Sequence, residues 1–191
     1  MATVIWDVTI SLDGFTSGPN VRPEEPMGDG GEGLHAWMEG AGPDGAVDTT
    51  VFEKVNADIG AIIIGRRTFD LGLKNWGGTP WPNTPSFVIT HRGRENLKGD
   101  NGGTFAFGTL DESVHRAREA AGDKRVIVLG ADVARQLMKA RHIDEIWLHI
   151  SPILLGGGTP MFAGETATLV PIEKPRVGTA THQFFRIAQA E

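Results

Sequence analysis

Leu129-Gly130-Ala131-Asp132-Val133-Ala134-Arg135-Gln136 joins the end of an apolar run to the start of a helical pattern. It completes the apolar run Val126-Ile127-Val128-Leu129, which reads as a short buried strand. Beyond Gly130 the apolar residues Val133, Ala134, Leu137 and Met138 fall at helical spacing. Strand, glycine turn and helix together aim free backbone N–H groups at an anion, and the helix dipole adds partial positive charge at the same point. Gly130 brings no Cβ to hold a phosphate away. Any strand-to-helix corner can carry a glycine, so this one counts only in company. Two further corners supply it. Gly65-Arg66-Arg67-Thr68-Phe69 follows Ala61-Ile62-Ile63-Ile64, and Thr90-His91-Arg92 follows Phe87-Val88-Ile89.

Outward from these corners the chain alternates strand and helix. Residues 3–10, 104–107 and 143–150 read as further strands. Leu34 to Met38 reads as a short helix, Thr50-Val51-Phe52-Glu53 as a capping box, and Thr109 with Glu112 as a second one. Residues 16–33 form a Gly/Pro-rich segment too long for a plain connection, which reads as a lid, a mobile loop or a disordered insertion. The tail carries two strands, about 168–177 and 182–188, without a crossover helix between them. The pattern predicts one α/β domain over 1–191, with a central, mostly parallel mixed sheet flanked by helices and an antiparallel C-terminal edge. Ligands of such folds bind at the carboxyl ends of the strands, where all three corners lie.

Composition excludes several functions. The net charge is −6 and the pI about 5.5, against a nucleic-acid surface, which needs a basic face. The chain of 191 residues has no cysteine, which removes disulfides, thiolate zinc sites and a thiol nucleophile and fits a reducing cytoplasm. The N-terminus shows no signal-peptide pattern. The strongest apolar run, Ile59 to Ile64, is far short of the ~20 residues of a membrane helix. No metal site is expected.

The arginines and hydroxyls at the corners suit phosphate oxygens. Five motifs, in order, resemble the dihydrofolate reductase-like superfamily, in the branch related to the reductase domain of the bifunctional riboflavin-biosynthesis protein. They are Ser11-Leu12-Asp13-Gly14-Phe15, the 65–69 corner, Val88-Ile89-Thr90-His91-Arg92, the 129–136 stretch, and Pro152-Ile153-Leu154-Leu155-Gly156-Gly157-Gly158-Thr159-Pro160. The resemblance implies a three-layer fold and NADPH as hydride donor to a pterin-like or ribosylaminopyrimidine-like heterocycle. It assigns cofactor binding to Gly65, Arg66, Thr68, Thr90, His91, Arg92, Leu129, Gly130, Ala131, Asp132 and Val133. Within that set, Arg66 and Thr68 would meet phosphates, residues 90–92 the adenosine end with its 2′-phosphate, and residues 130–133 the pyrophosphate. It also implies a homodimer. The family usually has two or three glycines where this chain has Gly130-Ala131-Asp132. Asp132 would oppose an anion and reads instead as the helix N-cap. The zinc-dependent deaminase half of the bifunctional protein needs a Cys pair that these residues lack.

No catalytic acid stands out. Asp13, His35 and Glu39 are the candidates, with Asp13 open to a turn role and His35 to an exposed or packed one. Asp13, Phe15, Trp37, Leu155 and Gly156 are expected around the substrate, where Phe15 and Trp37 either stack on a flat ring or fill core. The alternative to a reductase is a non-catalytic nucleotide-binding module that keeps the fold.

Overall fold

A computed structural model describes residues 2–188. In chain order the strands and helices are β1 (Thr3–Ser11), β2 (Phe15–Ser17), a 3₁₀ helix (Gly31–Glu39), α1 (Gly45–Asn56), β3 (Ile59–Gly65), α2 (Arg66–Trp76) and β4 (Pro85–Ile89). They continue with β5 (Leu97–Lys98), β6 (Thr104–Gly108), α3 (Leu110–Ala121), β7 (Arg125–Leu129) and α4 (Ala131–Lys139). The remainder is β8 (Glu145–Ser151), β9 (Thr159–Pro160), β10 (Leu169–Pro171), β11 (Arg176–Val177) and β12 (Thr181–Ile187). The expected α/β fold is present: the sheet is mixed, parallel in its central strands and antiparallel toward the C-terminal edge. The chain divides into two compact units, Met1–Trp6 with Asp58–Asp144, and Asp7–Ala57 with Glu145–Glu191.

The first unit holds the parallel strands in the order β1-β7-β3-β4-β6, with β5 antiparallel on β6. Residues 62–64, 126–128 and Val88 are fully buried, which is why these strands read as unbroken apolar runs rather than alternating ones. Glycine sets the spacing of α3 on this sheet. A Cβ on Gly60 would stand 2.7 Å from the Ala121 Cα at the helix end. The Thr109–Glu112 capping box starts α3 as its sequence predicts, with Glu112 accepting the Thr109 N–H at 3.0 Å. Phe69 of α2 packs edge-on against Phe105 and Phe107, at 5.0 and 5.2 Å between ring centres.

The second unit pairs β8 with β12 and β12 with β10 and β11, all antiparallel, and pairs β2 with β9. Two expectations change here. The helix after Gly40 begins at Gly45, so Thr50 lies inside α1 and bonds its hydroxyl back to the Ala46 carbonyl at 3.0 Å. A capping box needs the free N–H groups of a first turn, and Thr50 has none of that setting. Residues 16–33 are folded on themselves rather than open. Gly18 donates to Met27, Asp29 donates to Pro19, and Arg22 bridges Glu25 and Asp29. A Cβ on Gly18 would lie 2.0 Å from the Asp29 carbonyl oxygen. The segment is therefore compact enough to need its glycine.

Candidate functional site

In the first unit the three corners follow adjacent strands. β7, β3 and β4 are neighbours in the parallel sheet and end nearly level, with Ile64 opposite Leu129 and Gly65 opposite Ile89. Sequence positions 65–68, 90–92 and 129–133 are thereby brought together at one sheet end. Two of the corners interlock. Gly130 has φ +100°, and a Cβ there would stand 2.5 Å from Thr68 Oγ1; a Cβ on Gly65 would stand 3.3 Å from that of Val133. The N-termini of α2 and α4 thus lie side by side, each presenting first-turn N–H groups.

Charge at this end is partly engaged. Arg66 holds Asp70 through its Nε, 2.9 Å from each carboxylate oxygen, leaving its two Nη groups for another acceptor. Asp132 is not the N-cap of α4; Gly130 takes that position. The carboxylate of Asp132 is drawn one turn along the helix to Arg135 (3.2 Å) and Gln136 (3.1 Å), which offsets its opposition to an anion at the helix end. Thr90 Oγ1 accepts the Arg92 N–H at 3.0 Å, a tight turn that leaves the His91 and Arg92 side chains exposed. Arg94, which no motif singled out, lies over the Phe107 ring at 5.0 Å and beside Phe69 at 5.9 Å. With level strand ends, paired helix N-termini and guanidinium groups, this end fits a phosphate-bearing group. Gly130 itself is required by the Thr68 contact.

In the second unit the turn after β1 and the loop before β9 are tied by Asp13. Its carboxylate accepts the N–H groups of Leu155 (3.1 Å) and Gly156 (2.7 Å). The Ser11 hydroxyl, together with these N–H groups, holds the Asp13 carboxyl below the usual range against the opposing effect of desolvation. Such a group is ionised and pairs loops; it is poorly suited to donate a proton. The glycines of this loop divide their work. Gly158 approaches the chain's own Ser17 carbonyl, where a Cβ would stand 2.0 Å away, whereas Gly156 and Gly157 border open space. Phe15 is half-buried in β2.

Trp37 is 1% exposed, with its indole N–H on Thr9 Oγ1 at 3.1 Å. Of the two roles the sequence leaves open for Trp37, this placement matches the core one, because its ring is packed among neighbours. The rings of His149 and His182 lie 4.6 and 4.9 Å away. His35 is half-buried, and burial holds it below the ordinary imidazole value, with Asp7 pulling the other way. Glu39 is exposed at the end of the 3₁₀ helix. Sequence reasoning missed the buried His149 and His182. Their signal is a histidine inside an otherwise apolar strand, as in Trp147-Leu148-His149-Ile150.

The family model for the RibD C-terminal domain matches residues 2–181. The chain belongs to this family. The motif resemblance to the reductase branch of the riboflavin-biosynthesis protein is thereby borne out. Solved structures agree in fold. A putative riboflavin biosynthesis protein from Shewanella sp. PV-4 has TM-score 0.69 and 23% identity over 99% of this chain and 100% of its own. A pyrimidine reductase-like protein from Corynebacterium diphtheriae has TM-score 0.58 and 13% identity over 99% and 93%. RibD from Acinetobacter baumannii has TM-score 0.61 and 13% identity over 98% of this chain and 58% of its own. No curated protein matches the sequence. Among the described residues no helix is long and apolar enough to cross a membrane.

Proposed function

We propose that this RibD C-terminal domain protein is an NADPH-dependent reductase of a small heterocycle, of the ribosylaminopyrimidine or pterin kind. The observation that carries the reading is the convergence of the 65–68, 90–92 and 129–133 corners on adjacent parallel strand ends. Arg66 and Thr68 would receive cofactor phosphates, the α4 N-terminus from Leu129 to Val133 the pyrophosphate, and Thr90, His91 and Arg92 the 2′-phosphate. When bound, the nicotinamide supplies the hydride. The protein supplies orientation and charge. Arg66 and Arg92 offer forked donors to phosphate oxygens, and Thr90 sets the turn that presents Arg92. On the substrate side, Asp13 fixes the Leu155-Gly156 backbone beside the 11–15 turn, with open space over Gly156 and Gly157 for a planar ligand.

The test is a spectrophotometric assay of NADPH oxidation against a panel of ribosylaminopyrimidines and pterins. Oxidation that depends on one of these compounds supports the reading. Tight NADPH binding with no compound ever oxidising it leaves the binding module, which the Ala131-Asp132 pair in place of glycines also favours.

A further inference from the structure

The most deeply buried charges of the second unit take no part in the site above. His149 on β8 and His182 on β12 are register partners, both fully buried, with Nδ1 to Nδ1 at 2.7 Å. Their outer nitrogens end on carboxylates: His149 Nε2 is 2.8 Å from Asp7 Oδ1, and His182 Nε2 is 2.9 Å from Asp48 Oδ1. Asp48 is fully buried, and its second oxygen accepts the N–H and hydroxyl of Thr179, at 2.9 and 2.7 Å. At the other end the Asp7 side chain keeps 11% exposure.

Proton counting decides what this chain of contacts holds. Carboxylate oxygens and bare ring nitrogens only accept, so each of the three contacts needs a proton of its own. Two neutral imidazoles bring one each. With two protons, one contact would set lone pair against lone pair in a buried place, a severe penalty. We propose that Asp7, His149, His182 and Asp48 form a proton relay holding one exchangeable proton beyond those of two neutral imidazoles, and that it delivers this proton at Asp7.

The surroundings place the proton. Burial pushes the Asp48 carboxyl up, but the Thr179 and His182 bonds outweigh it and hold the group below its usual value. Burial keeps His182 below the ordinary imidazole value against the pull of Asp48, and the charges of His149 and Arg176 act in the same direction as burial. A neutral His182 donating to an ionised Asp48 must accept from His149 Nδ1. The extra proton is then in the His149–Asp7 contact, at the end that reaches solvent, beside the neutral His35. Its use rests on the reductase reading. Were hydride supplied to the carbon of a C=N or C=O group next to Asp7, the heteroatom would gain the electron pair and take the relay's proton, and solvent would recharge the relay.

The proton count itself is tested through the charge of the folded protein, with no enzymatic assay. Asp7→Asn can keep all three contacts, with its amide N–H donating to His149 Nε2, and then needs only two ring protons. Carboxylate charge and extra proton leave together, so the variant migrates with wild type in native capillary electrophoresis near neutral pH. Asp100→Asn, at an exposed carboxylate, marks a shift of one unit. A one-unit shift for Asp7→Asn overturns the relay. Should that variant not fold, proton NMR of ¹⁵N-histidine wild type decides: three slowly exchanging, far-downfield bond protons are expected, and two overturn the proposal. Delivery at Asp7 predicts that Asp7→Asn loses turnover near neutral pH and regains part of it in acid; wild-type turnover in the variant overturns delivery. A wild type that oxidises no NADPH refutes the reductase reading and leaves the charge result standing.

Discussion

At the scale of residues, burial decides between roles that a sequence leaves open. Trp37 reads in sequence as a stacking platform or as core. The structure resolves it through partners distant in sequence, Thr9, His149 and His182. Trp37→Ala should therefore lower stability by about 3–5 kcal/mol, as for other large buried aromatics. Urea denaturation measures it, and a loss under ~1 kcal/mol would deny the core role. Asp13 was legible as a turn residue, but its partners Leu155 and Gly156 are invisible locally. Its carboxyl is held below the ordinary value, so its tie is present at neutral pH and is lost as pH falls through the folded value. Asp13→Ala should speed hydrogen exchange at the Leu155 and Gly156 amides while leaving the β3 amides protected. Unchanged exchange at both amides would remove the tie.

At the scale of elements, the corners were the most legible feature, since a buried strand, a glycine and a helical apolar spacing are all local signals. Their interlock was not, because Thr68 and Gly130 are far apart in the chain. Gly130→Ala meets two obstacles, a φ of +100° and a Cβ 2.5 Å from Thr68 Oγ1. It should cost about 1–3 kcal/mol on backbone strain alone. Adding Thr68→Ala should recover the contact part and leave the strain part, which a set of urea midpoints separates. The α1 start was misread for a related reason. The Thr50–Glu53 pattern matches a cap in composition, whereas the helix starts where Gly45 packs on Gly40, with a Cβ position 2.0 Å from the Gly40 carbonyl oxygen.

At the scale of the whole molecule, titration and assembly follow from the same groups. His35 and His182 are held neutral by burial, so the unfolded chain binds more protons as pH falls through the ordinary histidine range, and stability falls with it. Asp48 and Glu173 lie below their usual values and add a second loss through the carboxylate range. Urea midpoints should drop from neutral to mildly acid pH, and a flat profile would contradict the buried neutral histidines. A homodimer is expected, with the exposed Val170 and Val177 of the tail strands and Ile172 just after β10 as apolar surface for it. Light scattering should give twice the 20.5 kDa of one chain, and the single-chain mass at micromolar concentration would contradict it. Cofactor choice turns on Arg92 and His91, exposed just past the end of β4. A charge-assisted contact to the 2′-phosphate contributes about 1.5–3 kcal/mol, at least about tenfold in affinity. Paired calorimetric titrations with NADPH and NADH test it most directly. NADPH should bind tighter by at least about that tenfold, with the preference erased in Arg92→Ala and the fold intact; equal affinities for the two nucleotides, or binding of neither, would overturn the cofactor assignment.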